Sequence, residues 1–308
     1  MPSTEPGASQ GDGEPMINDR VAGAPISWGV CEVPGWGHQM DPGRVLAEMR
    51  DLGLAAAEFG PDGFLPAGAE ERAALLAEYG LRPVGGFAPV VLHDPDRDPL
   101  PEVRRILAGF GVERSNSEQT LVLAAVHGLR GYDERPSLDT VGWTALLTNL
   151  DRIASLAAEA GVRAVLHPHA GTMVERSNEV LRVLDGSAVP LCLDTGHLLV
   201  GGTDPVDLAA SAAGRIAHVH LKDVDADLAE SVRHGRTSYT DAVRAGLYRP
   251  LGAGDIDIAA IVGSLEGAGY DGWYVLEQDT VLDREPAPGE GPLADVRACV
   301  EFLAGIGA

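Results

Sequence analysis

Residues 162–221 read VRAVLHPHAGTMVERSNEVLRVLDGSAVPLCLDTGHLLVGGTDPVDLAASAAGRIAHVHL, and this stretch decides the fold. Three short apolar runs punctuate it: VRAVLHPH (162–169), VPLCLD (189–194) and IAHVHL (216–221). Each is rich in Val, Leu and Ala, the composition of a strand buried on both faces. The runs carry a polar residue at or near their ends, His167, Asp194 and His220, spaced 27 and 26 residues apart. That interval holds one strand, one helix and two loops. Units of this length lay their strands in parallel, so the strand ends converge. A fourth run, GWYVLEQ (272–278), brings Glu277 to the same position. Two imidazoles and two carboxylates meeting at one point are a donor set for a divalent metal.

The alternation extends to both sides. Upstream, PISWG (25–29), AAAEFG (55–60), LRPVGGFAPVVL (81–92) and QTLVLAAV (119–126) read as the first four strands. Helices are expected near 42–52, 69–79, 101–109 and 140–160, then near 176–184, 205–212, 256–267 and 293–304. Alternating β and α can give a doubly wound sheet or a closed barrel, and eight units favour the barrel. The expected architecture is one α/β domain, a (β/α)8 TIM barrel over residues 21–308, with no linker dividing it. Residues 224–254 form a long excursion after the seventh strand. Its basic cluster (Arg233, His234, Arg236) leaves open a lid, a contact in a homo-oligomer or a solvated loop.

Composition narrows the function. A hydrophobic content of 45% over 308 residues is enough for a large core, and a net charge of −23 argues against nucleic acid and anionic membranes as partners. No apolar run has the roughly 18 residues of a membrane span. Residues 1–20 lack a hydrophobic segment, so they read as a disordered tail and not a signal peptide. Cys31, Cys192 and Cys299 are unpatterned, which implies a reducing, cytoplasmic setting, with Cys192 a small core residue.

In such a barrel, polar residues at the C-terminal ends of strands face the mouth. His167 and His169 share a strand face, as do His218 and His220. Five of the nine histidines (167, 169, 197, 218, 220) fall within 54 residues, which argues for a shared site over scattered core positions. His197, in DTGH, orients substrate or caps the following turn, and Gly196 lets the backbone turn sharply there. Lys222 is a general acid or base, a ligand for a substrate oxygen, or an exposed rim charge. Glu277 is a metal ligand and candidate base. Gln278 or Asp279 is placed to hold substrate hydroxyls, and Glu58 is a base or a partner behind the metal ligands. Trp28, Trp36 and Phe64 offer aromatic faces to a sugar or cyclitol at the mouth. No phosphate loop is evident: GGF (85–87) and GGT (201–203) match no fingerprint, and GAGD (252–255) precedes a helix for which Asp255 is the expected N-cap.

A mixed imidazole and carboxylate site suits Mn²⁺, Co²⁺, Fe²⁺ or Zn²⁺ better than Ca²⁺, with Mn²⁺ and Co²⁺ preferred and Mg²⁺ also compatible. Such a metal chelates adjacent carbonyl and hydroxyl oxygens of a polyol or keto-sugar and stabilises the enediolate left when an α-proton is removed. Reprotonation then gives isomerisation or epimerisation, and loss of a β-hydroxyl gives dehydration. Metal ligation does not choose between them.

The stretches HPHAGTMVE (167–175), CLDTGHLLVGG (192–202), HVHLKDV (218–224), YRPLGAGDIDI (248–258) and GYDGWYVLEQD (269–279), in this order, resemble the xylose-isomerase-like TIM-barrel superfamily of sugar isomerases, epimerases and dehydratases. ISWG and VLAEMRDLGLAAAEFGPDGF, within 26–64, also fit it. Within the superfamily the likeness is to inosose (2-keto-myo-inositol) dehydratases. The resemblance spans about residues 22–305. It implies a metal held by His167, Asp194, His220 and Glu277, catalytic roles for Glu277, Lys222 and His197, and substrate contacts from Trp28, Glu58, His169, His197, Lys222 and Gln278. The superfamily usually places a Glu where this chain has His167. Its epimerases use a Glu on each side of the substrate, so the departure favours elimination, a metal-dependent lyase acting on a keto-cyclitol. The loop VCEVPGWG (30–37) also departs from the longer Asn/Asp-containing loop usual in inosose dehydratases. The alternatives are a ketose isomerase or epimerase, and, from another class, a non-catalytic barrel subunit or binding protein.

Overall fold

The computed structural model describes residues 17–111, 119–129, 133 and 135–306. The strands are β1 (Val21–Gly23), β2 (Ala56–Glu58), β3 (Arg82–Val90), β4 (Thr120–Ala125), β5 (Arg163–Leu166), β6 (Leu191–Asp194), β7 (Ile216–Leu221), β8 (Asp223–Val224), β9 (Tyr248–Arg249) and β10 (Tyr274–Leu276). The helices are α1 (Pro42–Asp51), α2 (Ala69–Glu78), α3 (Leu100–Leu107), α4 (Thr140–Glu159), α5 (Ser177–Gly186), α6 (Thr195–Gly201), α7 (Pro205–Ala212), α8 (Ala226–Arg233), α9 (Tyr239–Arg244), α10 (Ile258–Gly267) and α11 (Pro292–Ile306). β1–β7 and β10 close into a barrel of eight strands, in which each neighbouring pair is parallel and β1 meets both β2 and β10. This is the TIM barrel the alternation predicts. No described helix is long and apolar enough to cross a membrane.

Side-chain parity positions the site. Ala56 and Glu58, Val165 and His167, Cys192 and Asp194, and Val275 and Glu277 are each two residues apart, so each pair shares one face of its strand. The lower members, with Ala22, Val84 and Val122, form two small buried clusters that fill the bore. The upper members crown that apolar plug with ionisable groups. The alternate residues of the same strands, among them Leu166, Leu193 and Val219, join the larger core beneath the helices. At about 25 cal/mol per Å² of apolar surface buried, that outer layer stabilises the barrel and offsets the cost of burying the polar crown.

Several sequence expectations are corrected. PISWG is not the first strand. Val21–Gly23 is, and Pro25–Trp28 forms a 3-10 turn closed by Gly29 at φ 77°. The backbone N–H groups of Ser27, Gly29 and Val30 are spent within the turn on the carbonyls of Ala24, Ile26 and Pro25, which leaves none of them for a ladder. Ile17–Arg20, assigned to the tail, is also a 3-10 turn. The Arg20 guanidinium donates to the carbonyls of Tyr270 (2.9 Å) and Gly272 (3.2 Å) and to Glu266 (2.6 Å), tying the entry of β1 to the segment before β10. Residues 1–16 of the expected tail lie outside the described residues. The N-cap of α10 is Asp257, whose carboxylate accepts from Ala260 N, whereas Asp255 accepts from Ala226 N.

The excursion folds into α8, α9 and the antiparallel ribbon of β8 and β9. Asp223, fully buried, organises its return: its two carboxylate oxygens accept from the backbone N–H groups of Val224, Gly252, Gly254 and Ile256 at 2.8–3.0 Å. Four charge-assisted bonds satisfy a buried carboxylate and fix the GAGD turn beneath the ribbon.

Candidate metal and active site

The strand ends of β5, β6, β7 and β10 bring His167, Asp194, His220 and Glu277 together, each offering a donor atom within 4.8 Å of the others. Asp194 is the hub. Its Oδ1 accepts from the backbone N–H of His197 at 2.8 Å, capping α6, while Oδ2 lies 3.2 Å from His167 Nε2, 3.4 Å from Lys222 Nζ and 3.5 Å from His220 Nδ1. His220 Nδ1 is 2.7 Å from Glu277 Oε2, yet neither atom makes a hydrogen bond of good geometry, and His167 Nδ1 is likewise without one. Buried imidazole and carboxylate atoms this close without a well-directed hydrogen bond are costly unless a cation joins them. A divalent cation fits that requirement, so the donor set and its unmet acceptors agree on a metal site.

Glu58 stands behind the cluster. Its Oε1 accepts from His218 Nε2 at 2.8 Å and from His220 Nε2 at 3.0 Å. Burial works against the Glu58 charge, but the two imidazoles hold its pKa well below the usual carboxylate range. With hydrogen on Nε2, His220 presents the lone pair of Nδ1 to Asp194 and Glu277, the arrangement in which a carboxylate fixes the tautomer of a metal-binding histidine. Glu58→Gln should weaken metal affinity about 10- to 100-fold, read by competition with a chelating dye. An unchanged affinity would reduce Glu58 to packing.

Lys222 is buried, with Nζ 2.6 Å from Asp279, 2.9 Å from Glu277 and 3.4 Å from Asp194. Burial disfavours its charge, but Asp194, Asp279 and Glu277 outweigh it and hold its pKa well above the ordinary lysine value. That corrects the exposed-rim expectation and favours the ammonium form of Lys222. Burial likewise opposes the charge of Glu277, and His220 and Lys222 hold its pKa down to about 2. For His169, burial and then His167 lower the pKa to about 4, and its Nδ1 lies 2.8 Å from the carbonyl of Ala170.

A cavity of about 330 Å³ opens over this floor. Glu58, His167, His169, Lys222, Glu277 and Asp279 line its polar side. The facing wall comes from the other half of the barrel: Trp36 after β1, Asp62 after β2, Phe87 on β3, and Arg105 and Ile106 on or beside α3.

Four expected substrate contacts are placed elsewhere. Trp28 is fully buried and away from the cavity lining, its indole N–H donating to Glu48 at 2.8 Å. Of the three expected aromatic faces Trp36 lines the cavity, and Phe64, like Trp28, lies outside the lining. The Gln278 amide is turned away to the carbonyl of Arg249, because residue 278 has the opposite parity to 277 and 279. His197 is buried outside the lining, stacked on His169 at 3.8 Å between ring centres with Nε2 3.3 Å from Lys222 Nζ. Cys192 is core, as expected, but also lies within reach of His167 and His220.

Sequence reasoning missed Phe87, Arg105, Tyr239 and Tyr248. The tyrosine hydroxyls lie 3.0 Å apart, and Tyr239 donates to Asp279. One available signal was overlooked: Lys222 is the single lysine of the chain, among 23 basic residues. Gly196 serves close approach and not a positive φ. It sits in α6, and a Cβ there would fall 2.7 Å from the Tyr248 ring and 2.8 Å from Lys222 Cβ. Gly196→Ala should cost about 1–3 kcal/mol by overpacking and lower turnover by displacing Lys222. Denaturant midpoint and turnover check this, and no change in either would show that both neighbours have room to yield.

Comparisons with known proteins agree with the geometry. Residues 46–304 match the family model described as xylose isomerase-like TIM barrel. The chain is 33% identical over 272 residues to an inosose dehydratase of Geobacillus kaustophilus, covering 84% of this chain and 87% of that one. It is 34% identical over 272 residues to the rhizopine catabolism protein MocC of Rhizobium meliloti, covering 86% and 82%. Among solved structures, an L-ribulose 3-epimerase superposes with TM-score 0.65 at 18% identity over 94% of both chains. A probable 3-DHS dehydratase of Bacillus anthracis does so with TM-score 0.64 at 14% identity, over 92% of this chain and 98% of that one. At those identities the two structures speak for the fold.

Proposed function

We propose, since this chain belongs to the xylose isomerase-like TIM-barrel family, that it is a metal-dependent lyase that dehydrates a keto-cyclitol such as 2-keto-myo-inositol. His167, Asp194, His220 and Glu277 would hold one divalent cation, Mn²⁺ or Co²⁺ foremost, with Mg²⁺, Fe²⁺ and Zn²⁺ compatible donors' partners. When bound, that cation supplies Lewis acidity to a carbonyl oxygen and its neighbouring hydroxyl. Glu277 takes the α-proton on its carboxylate. The Lys222 ammonium, beside it at 2.9 Å, gives a proton to the departing β-hydroxyl. The C–H and C–O bonds break, a C=C bond forms and water leaves. Trp36, Phe87 and Ile106 offer the apolar wall for the ring's C–H face.

The observation that carries this reading is the asymmetry of the site. At the strand ends that would hold the metal, the Glu277 carboxylate lies 2.9 Å from the Lys222 ammonium, and the end of β5, where the family resemblance leads one to expect a second carboxylate base, carries the imidazole of His167. An acid and base on one side suit elimination better than proton transfer across two faces. Incubating the metal-loaded protein with 2-keto-myo-inositol should generate an unsaturated ketone with its ultraviolet absorbance. No product there, together with conversion of a ketohexose to its C3 epimer, would overturn the lyase in favour of an epimerase. Failure to exchange substrate C–H for deuterium with any ketose or keto-cyclitol would instead indicate a binding protein.

A further inference from the structure

Five buried or nearly buried polar side chains close a ring behind the cavity. Lys222 Nζ donates to Asp279 Oδ1 at 2.6 Å, and Asp279 Oδ2 accepts from the Tyr239 hydroxyl. The Tyr239 and Tyr248 hydroxyls are 3.0 Å apart, Tyr248 Oη is 3.5 Å from His197 Nδ1, and His197 Nε2 is 3.3 Å from Lys222 Nζ. An ammonium only donates and a carboxylate only accepts, so the donor directions follow. Lys222 donates to Asp279 and to His197 Nε2. His197 then carries its hydrogen on Nδ1, toward Tyr248. Tyr248 donates to Tyr239, and Tyr239 to Asp279. Both arms of the ring therefore run from the ammonium to one carboxylate. The Ala170 N–H, which points at His197 Nδ1 at 3.4 Å, then has no acceptor in that nitrogen, the one contact this direction opposes.

The five groups come from distant parts of the chain. His197 lies on α6, Lys222 follows β7, Asp279 follows β10, and Tyr239 and Tyr248 are on α9 and β9 of the excursion. Neither tyrosine lines the cavity. Tyr248 packs against the ring's other members: its aromatic face lies 5.3 Å from Lys222 Nζ, and Gly196 is kept small beside it. The Tyr239 hydroxyl holds one oxygen of Asp279 while the other meets Lys222 Nζ.

We propose that Tyr239 and Tyr248 are positioning residues that aim Lys222 at the cavity through Asp279 and His197, which makes the 224–254 excursion a working part of the active site. This rests on the reading of Lys222 as proton donor. The test separates the two ideas because the single lysine can be observed directly: a chain grown with ¹⁵N,¹³C-lysine carries one side-chain signal, that of Lys222. In Tyr239→Phe, which keeps the ring and removes the hydroxyl, that signal should shift and its ammonium hydrogens should exchange faster. The value of kcat should fall roughly 10- to 100-fold with KM and metal content nearly unchanged, since small misplacements of a reacting group carry such factors. Tyr239→Phe in a Lys222→Met background should be no slower than Lys222→Met alone, as expected when one residue acts through the other. Tyr248→Phe should show the same pattern more weakly. A lysine signal and kcat unmoved in both tyrosine variants would overturn the proposal, as would losses that add to those of Lys222→Met. If the wild type neither eliminates nor exchanges, the lyase reading fails, and the lysine signal still decides the positioning claim.

Discussion

Asp194→Asn should yield a folded protein that no longer retains stoichiometric metal and has turnover at background. The substitution is nearly isosteric, and the carbonyl of Asn can still accept from the His197 N–H, so the cap of α6 survives. The loss falls on Oδ2, the oxygen that lies within 3.5 Å of His167, His220 and Lys222. An amide nitrogen there would face an ammonium and two imidazole nitrogens, and the central negative charge would be gone. Burial and full enclosure mean that no solvent screens this change. Metal content by elemental analysis should drop from one equivalent toward zero, with circular dichroism preserved. Full stoichiometry in the purified variant would refute the ligand assignment.

Lys222→Met should separate chemistry from metal binding. The variant should keep its cation, because none of the four proposed ligands is altered, and turnover should fall about 100- to 1000-fold, the usual worth of a placed acid. Its metal-free form should also lose stability by about 3–5 kcal/mol, because Asp194, Glu277 and Asp279 are left facing one another without their cation. Added metal should recover part of that loss by neutralising Asp194 and Glu277. Thermal midpoints with and without metal measure it. Turnover equal to wild type would reduce Lys222 to a structural counter-charge.

The legibility of the sequence followed burial. β5, β6 and β7 were readable because strands covered on both faces leave an apolar run with its polar exception at the mouth. Two-residue parity then placed His167, Asp194, His220 and Glu277 on one side of the bore. The same rule, applied to LEQD, favours Asp279 over Gln278, and the structure agrees with the rule. Elsewhere local pattern misled. The Ile, Ser and Trp of PISWG resemble a strand, but local backbone hydrogen bonds and the left-handed Gly29 make it a turn that buries Trp28 against α1. DTGH concealed a helix because its N-cap is also the candidate metal ligand. Tyr239 and Tyr248 were illegible for another reason. Their place in the site depends on the path of the excursion, which Asp223 fixes through four backbone amides that composition does not reveal.

The two sides of the cavity are built largely by opposite halves of the chain. Glu58 of β2 apart, β5 onward supplies the polar floor, whereas Trp36, Asp62, Arg105 and Ile106 on the facing wall all belong to the first three βα units. The reactive machinery and the surface that meets the rest of a substrate are thus inherited on separable cassettes. Grafting the first three loops from another member of the family onto this chain would re-address the chemistry to a different ring while leaving its engine in place.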